Sequence, residues 1–107
     1  MLTLLVPKEA RPAETRVAAT PETVKTYCSA GFDVVVETTA GVDSGYGDDD
    51  FAAAGARIAP AEGLPWEQAD VVLAVAPPSH DRLARLKPGA LLIGLLEPYD
   101  AAERLQL

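Results

Sequence analysis

The sequence predicts an α/β fold: a doubly wound, mainly parallel sheet of about five strands. Three observations carry that expectation. Short, continuous apolar runs that read as strands recur at Leu2–Val6, Val34–Val36, Val71–Ala76 and Ala90–Leu96, the first two as buried strands of a parallel sheet. Segments with helix-start signals lie between them, so strands and helices alternate. The chain has 107 residues, 49% of them hydrophobic and 23% charged. Those totals describe one globular domain over residues 1–107, with enough apolar surface for a modest core.

The first strand runs from Leu2 to Val6 and ends at Pro7. Residues 8–19 are mostly polar, contain Pro12, and read as a loop at the sheet's edge. Thr20-Pro21 is a helix start, with Thr as N-cap and Pro at the first helical position. Val24, Tyr27 and Cys28 supply the apolar stripe, and Gly31 suits the left-handed residue after the helix. The second strand is Asp33–Glu37, which makes the opening unit strand, helix, strand, joined by a right-handed crossover. Gly41, Gly45 and Gly47 mark a loop in which turns need positive φ. Asp48-Asp49-Asp50 stands where a helix begins, and its carboxylates read as N-terminal caps rather than a cation site. That helix continues from Phe51 to Ala54, is stopped by Gly55, and leads to an edge strand at Arg57–Ala59. Residues 60–69 form a loop or helical turn holding Trp66. The strand Val71–Ala76 ends at Pro77-Pro78, and Ser79 caps a helix from His80 to Leu86 whose inward face is Leu83 and Leu86. Lys87-Pro88-Gly89 is a turn into the last strand, and Asp100 with Glu103 opens a final helix. Together these elements predict a sheet of the Rossmann/flavodoxin-like kind.

Net charge is −7, which disfavours phosphate backbones and anionic membrane surfaces, so no nucleic-acid partner is expected. One cysteine, Cys28, cannot form an intrachain disulfide and reads as a core thiol. One Cys and one His far apart make no metal-ligand set. No basic segment precedes an apolar one at the start, and no apolar run reaches the about 18 residues of a membrane span. The expected compartment is the cytoplasm.

A dinucleotide site normally announces itself with G-x-G-x-x-G after the first strand. Here that position holds Pro7-Lys8-Glu9, and the fingerprint is absent. The later glycines have the wrong spacing and precede three aspartates that repel a pyrophosphate. Ser29, Ser44 and Ser79 lack a nucleophile-elbow context, and His80 at a helix start reads as a surface residue. No residue is therefore assigned a catalytic role. The best-placed charge is Arg16, near the carboxyl end of the first strand, where open α/β sheets bind ligands. Its guanidinium can hold a carboxylate or phosphate through paired hydrogen bonds, and Lys8 adds a point charge. The competing reading pairs both cations with Glu9 and Glu14 on the surface.

Val6-Pro7-Lys8-Glu9, Glu14 through Pro21, Gly31-Phe32, Val36-Glu37, Ala40-Gly41, Ala54-Gly55-Ala56 and Ala69 through Leu73 occur in an order and at spacings that resemble a known domain. It is the N-terminal domain shared by alanine dehydrogenase and the alpha subunit of proton-translocating NAD(P) transhydrogenase. The segment Glu14–Pro21 is the most specific portion. The resemblance implies a Rossmann-like closure domain, with NAD(H) bound by a later domain that carries the glycine fingerprint. It also implies that this chain matches only the opening portion of a longer protein. In alanine dehydrogenases an arginine, a lysine and a histidine of this domain surround pyruvate. The arginine matches Arg16, but the lysine falls at Ala74 and the histidine near Glu97, so both are missing. A lysine at the Ala74 position is usual in transhydrogenases too, and its absence departs from that pattern as well. Glu97-Pro98 sits better with transhydrogenases.

The resemblance therefore implies a segment of a transhydrogenase (an oxidoreductase and translocase) that supports hydride transfer between NAD(H) and NADP(H). Arg16 and Lys8 are the implied contacts to substrate or cofactor. No cofactor is expected to bind tightly to these residues alone. Implied partners are a nucleotide-binding domain or chain, a second copy in a homodimer and, indirectly, membrane-embedded subunits that hold the protein on the cytoplasmic side of the membrane. Two other readings stay open: an alanine dehydrogenase-like fragment, and a standalone non-enzymatic binding module.

Overall fold

In a computed structural model, the fold is described for residues 2–9, 19–42, 45–75 and 80–94. Five parallel strands form one sheet in the order β3-β2-β1-β4-β5: β1 (Thr3–Val6), β2 (Asp33–Glu37), β3 (Arg57–Ala59), β4 (Val71–Ala74) and β5 (Leu91–Gly94). The helices are α1 (Pro21–Ser29), α2 (Asp48–Ala53) and α3 (His80–Leu83). This is the α/β architecture that the alternation of apolar runs and helix starts predicts. The helix expected after Asp100 lies outside the described residues.

The helix starts are chemical. Thr20 lies in an extended conformation and its hydroxyl accepts the Thr23 N–H at 3.2 Å, while Thr23 Oγ1 accepts the Thr20 N–H at 2.8 Å. Pro21 follows at the position where a missing N–H costs nothing. The helix closes at Ala30, and Gly31 takes φ 98°, as expected.

Register divides the core in two. Leu4 pairs with Val34, and Leu5 pairs with both Val35 and Val72. Side chains alternate along a strand, so Leu4, Val6, Val34, Val36 and Leu73 share one face with Val24 of α1 and Phe51 of α2. Leu5, Val35 and Val72 share the other with Leu64, Trp66 and Ala69 from the connection between β3 and β4, and with Leu86. Trp66 is fully buried there.

Three expectations need correction. Cys28 packs against the core but is only half-buried, because it sits at the flank of the α1 stripe beside Gly55. Gly41 and Gly47 do not take positive φ; Gly45 does. Gly41 is required by space instead, since a β-carbon there would stand 2.5 Å from Phe51 Cε2. The helix after β4 ends at Leu83, not Leu86, although Leu86 still reaches the core. The last strand, β5, stands at the sheet's edge, where Leu91, Leu92 and Ile93 are 55%, 38% and 40% exposed.

Candidate functional site

The strand order reverses at β1, whose neighbours are β2 on one side and β4 on the other. In open α/β sheets, ligands bind at such a reversal, beyond the carboxyl ends of the strands. Here that edge is formed by Pro7-Lys8-Glu9 after β1, Glu37-Thr38-Thr39 at the end of β2, and Ala74-Val75 at the end of β4.

Two residues beyond the matched set Leu5, Val35 and Val72 come Pro7, Glu37 and Ala74, on the Trp66 face. All three are buried, and Glu37, 5% exposed, is the one buried charged residue among those described. Its carboxylate is satisfied from two sides. Oε1 accepts the backbone N–H of Lys8 at 2.8 Å and the Arg82 Nη1–H at 3.3 Å. Arg82 comes from α3 and its guanidinium lies 5.4 Å from the centre of the Trp66 ring, a cation–π contact on a buried aromatic face. A carboxylate in low dielectric is tolerated only with such partners. Glu37 thus ties the segment after β1 to α3.

A second carboxylate spans the reversal. Glu9 Oε2 accepts the Val75 N–H at 2.9 Å, linking the ends of β1 and β4. A third clamps the end of β2. Asp48, the first residue of α2, accepts the Thr39 N–H on Oδ1 at 2.8 Å and the Thr38 hydroxyl on Oδ2. Asp50 Oδ2 accepts the Gly47 N–H at 2.9 Å, so the acidic triplet does serve the helix start, and Asp48 additionally reaches across to the strand end. Among the described residues, no cluster of three or more His, Cys, Asp or Glu is able to bind a metal ion.

Of the predicted contacts, Lys8 stands at this edge: its side chain is exposed and its ammonium donates to Thr39 Oγ1 at 3.2 Å. Arg16, Glu14 and Glu97 lie outside the described residues. Ala74, where the resemblance implies a lysine, presents a buried methyl group 2% exposed. Sequence reasoning did not assign Glu37, Thr39, Asp48 or Arg82 to the site. Glu37 was detectable, because the period of two that buries Val35 also turns residue 37 to the same face. Arg82 carried no such signal, since its reach depends on where α3 docks.

Comparison with known proteins agrees with this fold. The family described as alanine dehydrogenase/PNT, N-terminal domain, matches residues 5–107. An NAD(P) transhydrogenase alpha-subunit chain of Rhodospirillum rubrum is 44% identical over 95 residues, covering 84% of this chain and 25% of that protein. Alanine dehydrogenase of Halomonas elongata is 39% identical over 93 residues, covering 87% of this chain and 25% of its own length. Among solved structures, a transhydrogenase from Sinorhizobium meliloti superposes with a TM-score of 0.82 at 40% identity, over 94% of this chain and 30% of that one. An L-alanine dehydrogenase superposes with a TM-score of 0.81 at 32% identity, over 98% and 28%. The chain spans about a quarter of the length of the relatives it matches. Strand order and these matches lead to one conclusion: the chain belongs to the family of N-terminal domains of alanine dehydrogenases and NAD(P) transhydrogenase alpha subunits.

Proposed function

We propose that this domain is the N-terminal portion of a proton-translocating NAD(P) transhydrogenase alpha subunit and supports hydride transfer between NAD(H) and NADP(H). The observation that carries the reading is the chemistry of the sheet edge. Alanine oxidation moves protons on and off nitrogen as an imine forms and is hydrolysed, so it requires a positioned acid or base. Glu37 is bound by Arg82 and the Lys8 N–H, and Glu9 by the Val75 N–H. Hydride transfer from NADH to NADP⁺ gives NAD⁺ and NADPH with no proton moved by a side chain. An edge whose described carboxylates are all engaged in holding the backbone is sufficient for it.

In this reading NAD(H) sits on a further domain or chain that carries the glycine fingerprint, and NADP(H) on another subunit. The present domain packs against the nucleotide-bearing unit and closes over it. Lys8 and Arg16 contact an anionic group of the ligand, a second copy forms a homodimer, and membrane-embedded partner subunits hold the assembly at the cytoplasmic face. Identities of 44% and 40% to the Rhodospirillum and Sinorhizobium transhydrogenases, against 39% and 32% to the two alanine dehydrogenases above, support this branch.

The 107-residue chain alone should bind NADH weakly or not at all. Titration calorimetry with NADH tests this: absence of micromolar binding is expected, and a micromolar dissociation constant would contradict the division of labour.

A further inference from the structure

The end of β2 contains a residue in a conformation its side chain does not favour. Glu37 to Ala40 is a tight turn closed by the Ala40 N–H donating to the Glu37 carbonyl at 3.0 Å. Its third residue, Thr39, has φ 63°, and among the described residues it is the one non-glycine with positive φ. That turn position belongs to glycine or asparagine. A β-branched side chain there is an outlier that persists only when its surroundings impose it.

The surroundings do so. Asp48 takes the Thr39 N–H and the Thr38 hydroxyl on its two carboxylate oxygens, and the Thr38 N–H is held by the Ala59 carbonyl at 2.8 Å. The Thr39 hydroxyl donates to the Thr38 carbonyl at 2.6 Å, which fixes the direction of its proton. The remaining lone pairs of Oγ1 face the Lys8 ammonium at 3.2 Å. A lysine ammonium has three donors, so Thr39 engages one and leaves two. The contact joins Lys8 to a residue 31 positions away in sequence, across the edge where the ligand is expected.

Resting on the reading of Lys8 as a ligand contact, we propose that Thr39 is a positioning residue: its strained backbone, clamped by Asp48, holds the Lys8 ammonium at the carboxyl edge of the sheet for an oxyanion of the ligand. Glycine would relieve the strain but could not hold the lysine. The hydroxyl is the polar group that threonine supplies here and glycine does not.

The test uses the 107-residue chain uniformly labelled with ¹⁵N, titrated separately with inorganic phosphate and acetate while the Lys8 ammonium and the backbone amides of residues 8 and 39 are followed. The variants are Thr39→Gly, Thr39→Asn and Lys8→Gln, each with its melting temperature. The expected result is a saturable shift at wild-type Lys8, and loss of the saturable binding in Lys8→Gln. Thr39→Gly should weaken binding about threefold to tenfold, the cost of ordering one long side chain, with an unchanged or higher Tm. Thr39→Asn, which tolerates positive φ and keeps an acceptor, should restore most of the affinity. Response to phosphate but not acetate assigns a phosphate of a nucleotide; the reverse assigns a carboxylate. Wild-type affinity in Thr39→Gly, with Lys8→Gln defective, overturns the positioning role and leaves Lys8 standing. A lowered Tm in Thr39→Gly without rescue by asparagine makes Thr39 merely structural and overturns it too. No anion response at wild-type Lys8 overturns the reading of Lys8 itself.

Discussion

Removing the Glu37 carboxylate should loosen the whole carboxyl edge of the sheet, and the structure sets the size of the effect. The side chain of Glu37 is 7% exposed and that of Arg82 27%. Truncation to alanine leaves the Lys8 N–H without its acceptor and Arg82 facing a vacated, largely apolar space beside Trp66. A hydrogen bond to a charged group contributes about 1.5–3 kcal/mol. Removing one partner of a buried ion pair costs about 3–5 kcal/mol. Arg82 can regain water on its exposed side, which puts Glu37→Ala near the lower end, at about 3 kcal/mol. Glu37→Gln keeps an acceptor for the Lys8 N–H but loses the charge, and should cost about half as much. Urea unfolding followed by Trp66 fluorescence measures both, because this single tryptophan lies in the affected cluster. An unchanged denaturant slope would show that the native state alone is affected. The cycle with Arg82→Ala should give a coupling of about 1–3 kcal/mol. A loss below about 0.5 kcal/mol in Glu37→Ala, the range of ordinary surface substitutions, would refute the assignment of Glu37 as the tie between β2, Lys8 and α3.

Two further outcomes follow from the packing and from the charges. Gly41→Ala should destabilise by about 1–3 kcal/mol through overpacking, since the new methyl would meet Phe51 Cε2 at 2.5 Å and Tyr46 Cβ at 3.0 Å; a melt identical to wild type would show that the Phe51 ring moves freely. The Lys87 ammonium, and after it the Thr3 N–H, hold the Asp70 carboxyl below its usual value. A carboxyl with a depressed folded pKa adds stability above its unfolded value and loses it as pH falls through the folded one. The gap between wild type and Asp70→Asn in urea midpoint should therefore be full near about pH 6 and shrink toward about pH 3; a gap that grows on acidification would contradict the pairing.

Much of the fold was legible because its signals are local. The bounds of β2 and β3, the start of α1 at Thr20-Pro21 and the left-handed Gly31 follow from apolar runs, caps and turn residues that act within a few positions. The site was legible only in outline. Lys8 could be placed because it follows a strand end, but Thr39 could not, since no propensity puts a β-branched residue at positive φ without the Asp48 clamp from the next helix. Asp48 itself reads as a helix cap until the fold brings it against the end of β2. Gly41 does lie in a turn, but what excludes a side chain there is the Phe51 ring ten residues on, not its backbone angle. The exposure of β5 was hidden for a similar reason: an apolar run says that a strand is apolar, not whether it lies inside the sheet or at its edge.

The central claim concerns the reaction this domain serves. The most direct measurement is made on the native product purified from its source cells with its partner subunits. NADPH-driven reduction of an NAD⁺ analogue is assayed beside L-alanine-dependent reduction of NAD⁺. Transfer between the two nicotinamides, and no NADH formation from alanine, is expected. Alanine-dependent NADH formation without transfer between nicotinamides would contradict it, and would require an acid or base other than the carboxylates of Glu37 and Glu9, which are held by Arg82 and by backbone N–H groups.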